Sequence, residues 1–182
     1  FLLDMPTTRL WPLYLTLMKG EPPYMTVSIK LANYISEPLI FVHETYQTSD
    51  DLFEGVSKQA FQLGRVREDF LPRVKERERT FPTGIQLENL GVAIPHTDAE
   101  CVLEEFVAVV VNKEPVEFKS MEDINQSVKA SVVFVLGLNQ AHAQLEMLQS
   151  LMGLLQNEAI LKDIIAATSA QDVLTIVNKN NL

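Results

Sequence analysis

His96 is the side chain best placed for chemistry in this sequence, because it directly follows an apolar run and a proline. The run Val92-Ala93-Ile94 is typical of a short buried strand, and Pro95 ends it because proline has no N–H for the ladder. We therefore expect His96 at a fixed strand end, where it can reach solvent. An imidazole has an ordinary pKa of about 6.5, so a neutral nucleophilic nitrogen is common near pH 7. Proton transfer, metal ligation and covalent capture of a phosphoryl group are all open to it.

Other catalytic and metal-binding patterns are missing from the sequence. The three histidines are His43, His96 and His142, with no His-x-x-x-His pair, and Cys101 is the single cysteine. A catalytic zinc site usually takes three suitable protein ligands, so we expect no metal. There is no Walker loop for a nucleotide and no Gly-x-Ser-x-Gly elbow for a serine hydrolase. We expect no cofactor, and one cysteine allows no internal disulfide.

The composition is typical of a packed globular protein. The chain has 182 residues, of which 47% are hydrophobic, and this is enough for one domain with a sizeable core. A net charge of −9 argues against binding to nucleic acid or to an anionic membrane surface. Leu10–Met18 is apolar, but it is shorter than the roughly 18 residues of a membrane span, and Pro12 interrupts it. No signal-peptide pattern is evident, so we expect a cytoplasmic protein without membrane insertion.

The first 24 residues differ from the rest, since they hold four of the nine prolines and show no clean periodicity. We interpret residues 1–24 as an N-terminal extension. It is either an artefact of cloning or of the assigned start site, or a docking arm. The folded domain is then expected over residues 25–182.

That domain alternates between helical and strand patterns. Apolar or β-branched runs predict strands at 40–43, 92–94, 106–111 and 131–138. Helical spacing and capping residues predict helices from Ser49 or Asp50 to Gly64, from 67–69 to Arg79, and over 141–156, 158–167 and 170–178. Helices alternating with buried strands favour one α/β domain whose sheet is covered on both faces.

Two helices carry more detailed predictions. In the first, the helical spacing places Phe61 inward with Leu52, Phe53, Val56 and Ala60. In the second, Phe70, Leu71 and Val74 can face the core, and the charged residues from Arg73 to Arg79 are expected on the outer face and at the end. Ser169 is predicted to cap the last helix.

Three short motifs in a fixed order resemble a known family. Arg77-Glu78 is followed by Pro82-Thr83-Gly84-Ile85 and then by Gly91-Val92-Ala93-Ile94-Pro95-His96. They resemble the enzyme IIA domains of the fructose/mannitol class of the bacterial phosphoenolpyruvate-dependent sugar phosphotransferase system. Phe81-Pro82-Thr83-Gly84, with the longer stretch before the histidine, looks most like the galactitol-type branch. The resemblance runs from about Met25 to Leu182 and implies a single α/β domain with a mixed sheet flanked on both faces by helices.

The resemblance also implies a function, that of a phosphotransferase. Such domains take a phosphoryl group from a histidine of the phosphocarrier protein HPr and pass it to a cysteine of enzyme IIB. His96 matches the phosphorylated histidine. Arg77 matches the arginine of the family's Arg-Glu pair, and its planar fork can bind phosphoryl oxygens. By its pattern alone Arg77 would be one more charge on a solvated helix face, and Arg79 is the second candidate.

The resemblance leaves a second active-site position open between two residues. Many relatives carry a histidine directly before a Leu-x-x-Leu helix; in this chain that place falls on Gln144, and His142 lies two residues earlier. The amide of Gln144 can donate to a phosphoryl oxygen, and His142 can reach the site from a helix start. Thr97 and Thr83 are candidates for further hydrogen bonds to phosphoryl oxygens.

Two other functions remain open. A regulatory, nitrogen-type enzyme IIA has the same fold, and there phosphorylation of the histidine controls the binding of a transcription factor or a transporter. A non-enzymatic α/β binding protein, in which His96 is structural, is the third possibility.

Overall fold

A five-stranded mixed sheet forms the centre of the computed structural model, which describes residues 29–182. Its strands are β1 (Ile40–Glu44), β2 (Gly84–Gln86), β3 (Gly91–Ala93), β4 (Phe106–Lys119) and β5 (Ser127–Gly137). They lie in the order β1-β4-β5-β3-β2 across the sheet. β1 runs parallel to β4 and β3 parallel to β5, while the pairs β4–β5 and β2–β3 are antiparallel. The extension expected over residues 1–24 lies outside the described residues.

Helices cover both faces of this sheet. One layer consists of α1 (Ser49–Gln62) and α2 (Phe70–Thr80), and the other of α3 (Ala141–Leu155), α4 (Glu158–Ala166) and α5 (Ala170–Lys179). Alternate residues in the first half of β4, residues 106–111, pack into opposite layers, so that both faces of this part are buried and its sequence is continuously apolar. The predicted α/β architecture with a mixed sheet between two helical layers is confirmed. Among residues 29–182, no helix combines the length and the apolar character that crossing a bilayer requires.

The five predicted helices form, with differences in detail. Thr48, and not Ser49 or Asp50, caps α1, since its Oγ1 accepts a hydrogen bond of 3.1 Å from the backbone N–H of Asp51. Phe61 is 50% exposed, so its predicted inward position is wrong. Ala60 already occupies the inward position of that turn, and the next residue lies about 100° further round the helix. Ser169 caps α5 as predicted.

The strands β4 and β5 extend beyond their predicted lengths. In the added part of β4, Val116 and Phe118 are buried, whereas Glu117 and Lys119 are exposed. A strand with one face towards solvent alternates between apolar and polar residues, so a continuous apolar run marks only the first part of β4.

The short strand β2 was not predicted, and it positions the Pro-Thr-Gly motif. It pairs with β3 through residues 84–86, and a tight turn follows in which the N–H of Leu87 donates to the carbonyl of Leu90 at 2.8 Å. Gly84 also meets the chain after β4, where its carbonyl accepts a hydrogen bond of 2.9 Å from Met121. A Cβ at Gly84 would lie 2.5 Å from the carbonyl oxygen of Lys119, so a glycine is required for this close approach.

Candidate functional site

His96 lies in the interior of the protein, with 1% of its surface exposed. The carbonyl of Pro95 accepts a hydrogen bond of 2.9 Å from the N–H of Leu136, and His96 itself forms a bridge with Leu136 in β5. The chain therefore stays beside β5 after β3 has ended. The expectation that His96 can reach solvent is wrong, because proline removes only a donor and the strand pairing continues through its carbonyl.

A backbone carbonyl holds the imidazole of His96 in one orientation. Nδ1 lies 3.0 Å from the carbonyl oxygen of Ile94, which can only accept, so the neutral ring carries its proton on Nδ1. Nε2 then has the lone pair, and this buried atom has no hydrogen-bond partner among the described residues. Burial lowers the pKa of His96 to about 4; the bond to Ile94 opposes the shift and the charge of Arg77 adds to it. The ring is therefore neutral at pH 7, with a nucleophilic nitrogen.

Arg77 projects from α2 and is largely withdrawn from solvent, with 18% of its side chain exposed. Its Nη1 lies 3.6 Å from Oδ1 of Asp98, and its Cζ lies 5.4 Å from the centroid of the Phe81 ring. Burial lowers the pKa of Arg77, and the Asp98 carboxylate opposes this shift. Nε of Arg77 is buried and has no hydrogen-bond partner among the described residues. Arg77 thus holds an unsatisfied donor, unlike a charge on a solvated helix face.

Arg79, the second candidate arginine, lies outside this site. Its side chain is 61% exposed and forms ion pairs with Asp50 at 3.2 Å and with Glu76 at 3.6 Å.

An open groove of about 350 Å³ lies in front of Arg77. It is lined by Pro72, Arg73, Glu76, Arg77, Thr80, Phe81, Thr97 and Asp98. Asp98 lies between two cations here, since Nη1 of Arg73 is 3.2 Å from its carboxylate. Thr97 follows His96 in the chain, so the groove comes within one residue of the imidazole. Arg73 is already paired with Asp69, Asp98 and Glu100. Arg77, with its unpartnered Nε and the exposed Phe81 ring beside it, is therefore the cation suited to an anionic group carried by another molecule.

The structure separates Gln144 from His142. Nε2 of Gln144 donates to the carbonyl of Thr97 at 3.3 Å, and Gln144 is 6% exposed. The side chain of His142 is 84% exposed, and its Nε2 lies 2.6 Å from Oε1 of Glu146. Two residues along a helix differ by about 200°, so only one of these side chains can face the interior. Gln144 is the one brought beside Thr97.

Thr83 is buried and has a task different from the one expected. Its Oγ1 lies 2.9 Å from Oε2 of Glu78, its backbone N–H donates to Oε1 of Glu78 at 2.8 Å, and its Oγ1 accepts from the N–H of Ile94 at 3.3 Å. An ionised carboxylate only accepts, so when Glu78 is ionised the Thr83 hydroxyl donates its proton to it. That proton is then not available to a phosphoryl oxygen.

Glu78 is the residue of this region that the sequence analysis missed. Its predicted position on the outer face is wrong, since it is 8% exposed. Burial raises the pKa of Glu78 to about 7, and its two bonds from Thr83 oppose that shift. The helical spacing does indicate that Glu78 is buried, because it lies four residues after the buried Val74 and eight after the buried Phe70. Its charged neighbours in the sequence favoured an exposed position instead.

The opposite pKa shifts of His96 and Glu78 predict a specific pH dependence of stability. Unfolding raises the pKa of His96 from about 4 towards 6.5, so His96 alone makes the protein less stable as the pH falls through this window. Unfolding lowers the pKa of Glu78 from about 7 towards 4.5, so Glu78 alone makes the protein less stable as the pH rises. Between about pH 4.5 and 6.5 the two contributions to the free energy of unfolding have opposite slopes and cancel. A variant that lacks one of the two groups should therefore show the pH dependence of the other.

In urea unfolding, His96→Gln should lose stability as the pH rises from 4.5 to 7, whereas Glu78→Gln should lose it as the pH falls from 6.5 to 4. Each slope should differ from that of the parent by up to about 1.4 kcal/mol per pH unit. Slopes equal to the parent's in both variants would contradict the two pKa shifts.

Comparison with known proteins identifies the family of the chain and the solved structures that share its fold. The sequence model described as "Phosphoenolpyruvate-dependent sugar phosphotransferase system, EIIA 2" matches residues 33–180. The galactitol-specific EIIA component of the phosphotransferase system of Escherichia coli K12 is 29% identical over 121 residues, which are 66% of this chain and 80% of the relative.

Two solved structures share the fold. The mannitol enzyme IIA of Escherichia coli, solved in complex with phosphorylated mannitol enzyme IIB, has a TM-score of 0.65 at 23% identity. The match covers 80% of this chain and 97% of that one. The nitrogen regulatory protein IIA-Ntr of Neisseria meningitidis has the same TM-score, 0.65, at 23% identity, again over 80% of this chain and 97% of that one.

Proposed function

The chain belongs to the EIIA 2 family of the phosphoenolpyruvate-dependent sugar phosphotransferase system, and we propose that it carries the phosphoryl group on Nε2 of His96. Members of this family are phosphotransferases. One observation carries the proposal for His96: Nε2 of His96 and Nε of Arg77 are both buried without a hydrogen-bond partner. Unsatisfied buried polar groups are rare in proteins. One is a lone pair and the other an N–H donor, and a phosphoryl group on His96 would satisfy both.

The transfer needs no proton to move at His96. The lone pair of Nε2 attacks phosphorus as the bond to the donor nitrogen breaks, and the proton remains on Nδ1, where the carbonyl of Ile94 stabilises the positive charge that develops on the ring. The three equatorial oxygens then need donors, and we assign the guanidinium of Arg77 to them. Positioning and charge stabilisation are the protein's main contribution to such a reaction.

The groove in front of Arg77 is the surface that we assign to both partners. The donor would be phosphorylated HPr, and the acceptor a cysteine of enzyme IIB. Each must dock transiently, which suits a small interface. Phe81, with 39% of its surface exposed at this groove, offers an apolar contact. The mannitol enzyme IIA, solved with its phosphorylated enzyme IIB, supports an enzyme IIB as the acceptor.

We place the carrier domain in residues 25–182, and we propose that it works in the cytoplasm. The match of the family model over residues 33–180, which lie within this range, supports the assignment.

A labelled phosphotransfer assay tests the carrier function. The chain is incubated with radiolabelled phosphoenolpyruvate, enzyme I and HPr, and then with a panel of enzyme IIB proteins. We expect an acid-labile, alkali-stable label on the chain that passes to at least one enzyme IIB. No label on the chain would overturn the proposal. A label that no enzyme IIB accepts would favour the regulatory, nitrogen-type function instead.

Variants of Gln144 and His142 should differ strongly in this assay. We expect Gln144→Ala to slow single-turnover transfer from phosphorylated HPr by about tenfold, because a buried amide that holds Thr97 and can donate to a phosphoryl oxygen is lost. His142→Ala, two residues away on the same helix, should transfer at the parent rate, because its side chain is exposed. A larger loss in His142→Ala than in Gln144→Ala would reverse this assignment.

A further inference from the structure

We propose that Glu78 is a positioning residue for His96 and acts on the imidazole through Thr83 and the backbone of Ile94. The inference rests on the proposed role of His96 as the phosphoryl acceptor. Glu78 itself touches neither the phosphoryl group nor the ring.

A continuous set of short contacts leads from Glu78 to His96. The carboxylate of Glu78 lies 2.8 Å from the backbone nitrogen of Thr83 and 2.9 Å from its Oγ1. The same Oγ1 lies 3.3 Å from the backbone nitrogen of Ile94. The carbonyl oxygen of Ile94 lies 3.0 Å from Nδ1 of His96. Ile94 is thus held on one side by Thr83, while it holds the ring on the other.

Above its pKa of about 7, Glu78 is ionised, and it then imposes one direction on all these hydrogen bonds. A carboxylate has no proton to give, so the Thr83 hydroxyl must donate to it and turn a lone pair towards the N–H of Ile94. Ile94 is then fixed through its N–H, and its carbonyl stays available to Nδ1–H of His96. This keeps the lone pair of the imidazole on Nε2, the atom that lies buried without a partner.

A structural role alone does not account for a carboxylate at this place. Glu78 is buried, and within residues 29–182 no lysine, arginine or histidine forms an ion pair with it, so its hydrogen-bond donors are the two groups of Thr83. Burying a charge without a counter-charge is unfavourable. An amide or an apolar side chain would fill the same volume at a lower cost. The requirement for an acceptor-only group is explained if the orientation of the Thr83 hydroxyl matters to His96.

The substitution Glu78→Gln tests this inference with a minimal change of shape. The new amide can still accept from the backbone N–H of Thr83, but its NH2 group then faces Oγ1 and donates to it. The Thr83 hydroxyl loses its acceptor, and the contact with Ile94 loosens. We expect single-turnover transfer from phosphorylated HPr to fall by about tenfold, as for other outer partners that orient a functional histidine.

The tautomer of His96 provides a readout that a merely structural role would not move. In the parent, 15N NMR of the imidazole should show a proton on Nδ1 and a bare Nε2. In Glu78→Gln we expect a mixture of the two tautomers. Thr83→Val should also slow the transfer and mix the tautomers, because it removes the hydroxyl without altering Glu78. Thr83→Ser keeps the hydroxyl, so its transfer rate and its tautomer should be those of the parent. The double variant of Glu78→Gln and Thr83→Val should be no slower than either single variant, because both break one chain of contacts.

Glu54→Gln is the matched control, since it makes the same change on α1 at an exposed side chain outside the site. Parent-like tautomer and parent-like transfer in both Glu78→Gln and Thr83→Val would overturn the inference and leave the carrier function intact. Slower transfer with an unchanged tautomer would overturn it as well. Full labelling of a His96 variant would instead remove the proposed function on which the inference rests.

Discussion

His96→Gln is expected to abolish labelling of the chain by phosphorylated HPr. Nε2 of His96 is the nucleophile in our proposal, and an amide nitrogen, whose lone pair is delocalised, cannot replace it. Glutamine is suited to the position because its NH2 group can keep the hydrogen bond to the carbonyl of Ile94 that Nδ1 makes in the parent. The fold should therefore survive, and circular dichroism together with urea unfolding would verify this. The measurement is the number of phosphoryl groups bound per chain, which should reach one in the parent and zero in His96→Gln.

Two matched variants make this prediction specific. His43→Gln and His142→Gln remove the other two histidines of the chain, and both should be labelled like the parent. His43 lies at the end of β1, where its Nε2 is 3.2 Å from the carbonyl oxygen of Ile165, and His142 is turned to solvent. A full label on His96→Gln, lost instead from one of these two variants, would assign the phosphoryl group to that histidine.

The sequence predicted those elements whose burial pattern is local. The stripe Leu52, Phe53, Val56 and Ala60 follows the helical period, and the apolar runs of β4 and β5 mark strands that are covered on both faces. The predicted inward position of Phe61 is wrong because Ala60 already faces the core in that turn. The second half of β4 was not predicted because one of its faces is exposed, so its apolar residues alternate with polar ones.

The surroundings of His96 depended on contacts that are distant in sequence. The ring is buried because Pro95 and His96 remain paired with β5, forty residues further along the chain, and no local pattern encodes that register. The bonds of Glu78 to Thr83 join residues only five positions apart, but they depend on how the chain turns between α2 and β2, which the helical period does not specify. The motif residues Arg77, Glu78, Thr83 and His96 were recognisable as a set from their order, although their separate tasks were not.

Arg77→Lys is expected to lower the rate of transfer onto His96 by about 10²- to 10³-fold, the range found when a donor to a developing oxyanion is removed. Lysine keeps the charge but has neither the Nε–H group, which is buried without a partner in Arg77, nor the planar fork. The loss therefore tests directed hydrogen bonding separately from charge. Arg77→Ala, which removes both, should be slower still. The rates are measured by rapid quench with phosphorylated HPr in excess.

Arg79→Lys is the matched control, since it lies two residues further along α2 with an exposed side chain, and it should transfer at the parent rate. A second readout is independent of the partner proteins. The positive charge of Arg77 helps to lower the pKa of His96, so Arg77→Ala should raise that pKa while Arg77→Lys leaves it closer to the parent, as followed by NMR titration of the imidazole. A parent-like rate in Arg77→Ala would exclude the guanidinium as the group that stabilises the phosphoryl oxygens. A slow rate in Arg77→Ala with parent-like transfer in Arg77→Lys would assign that role to charge alone.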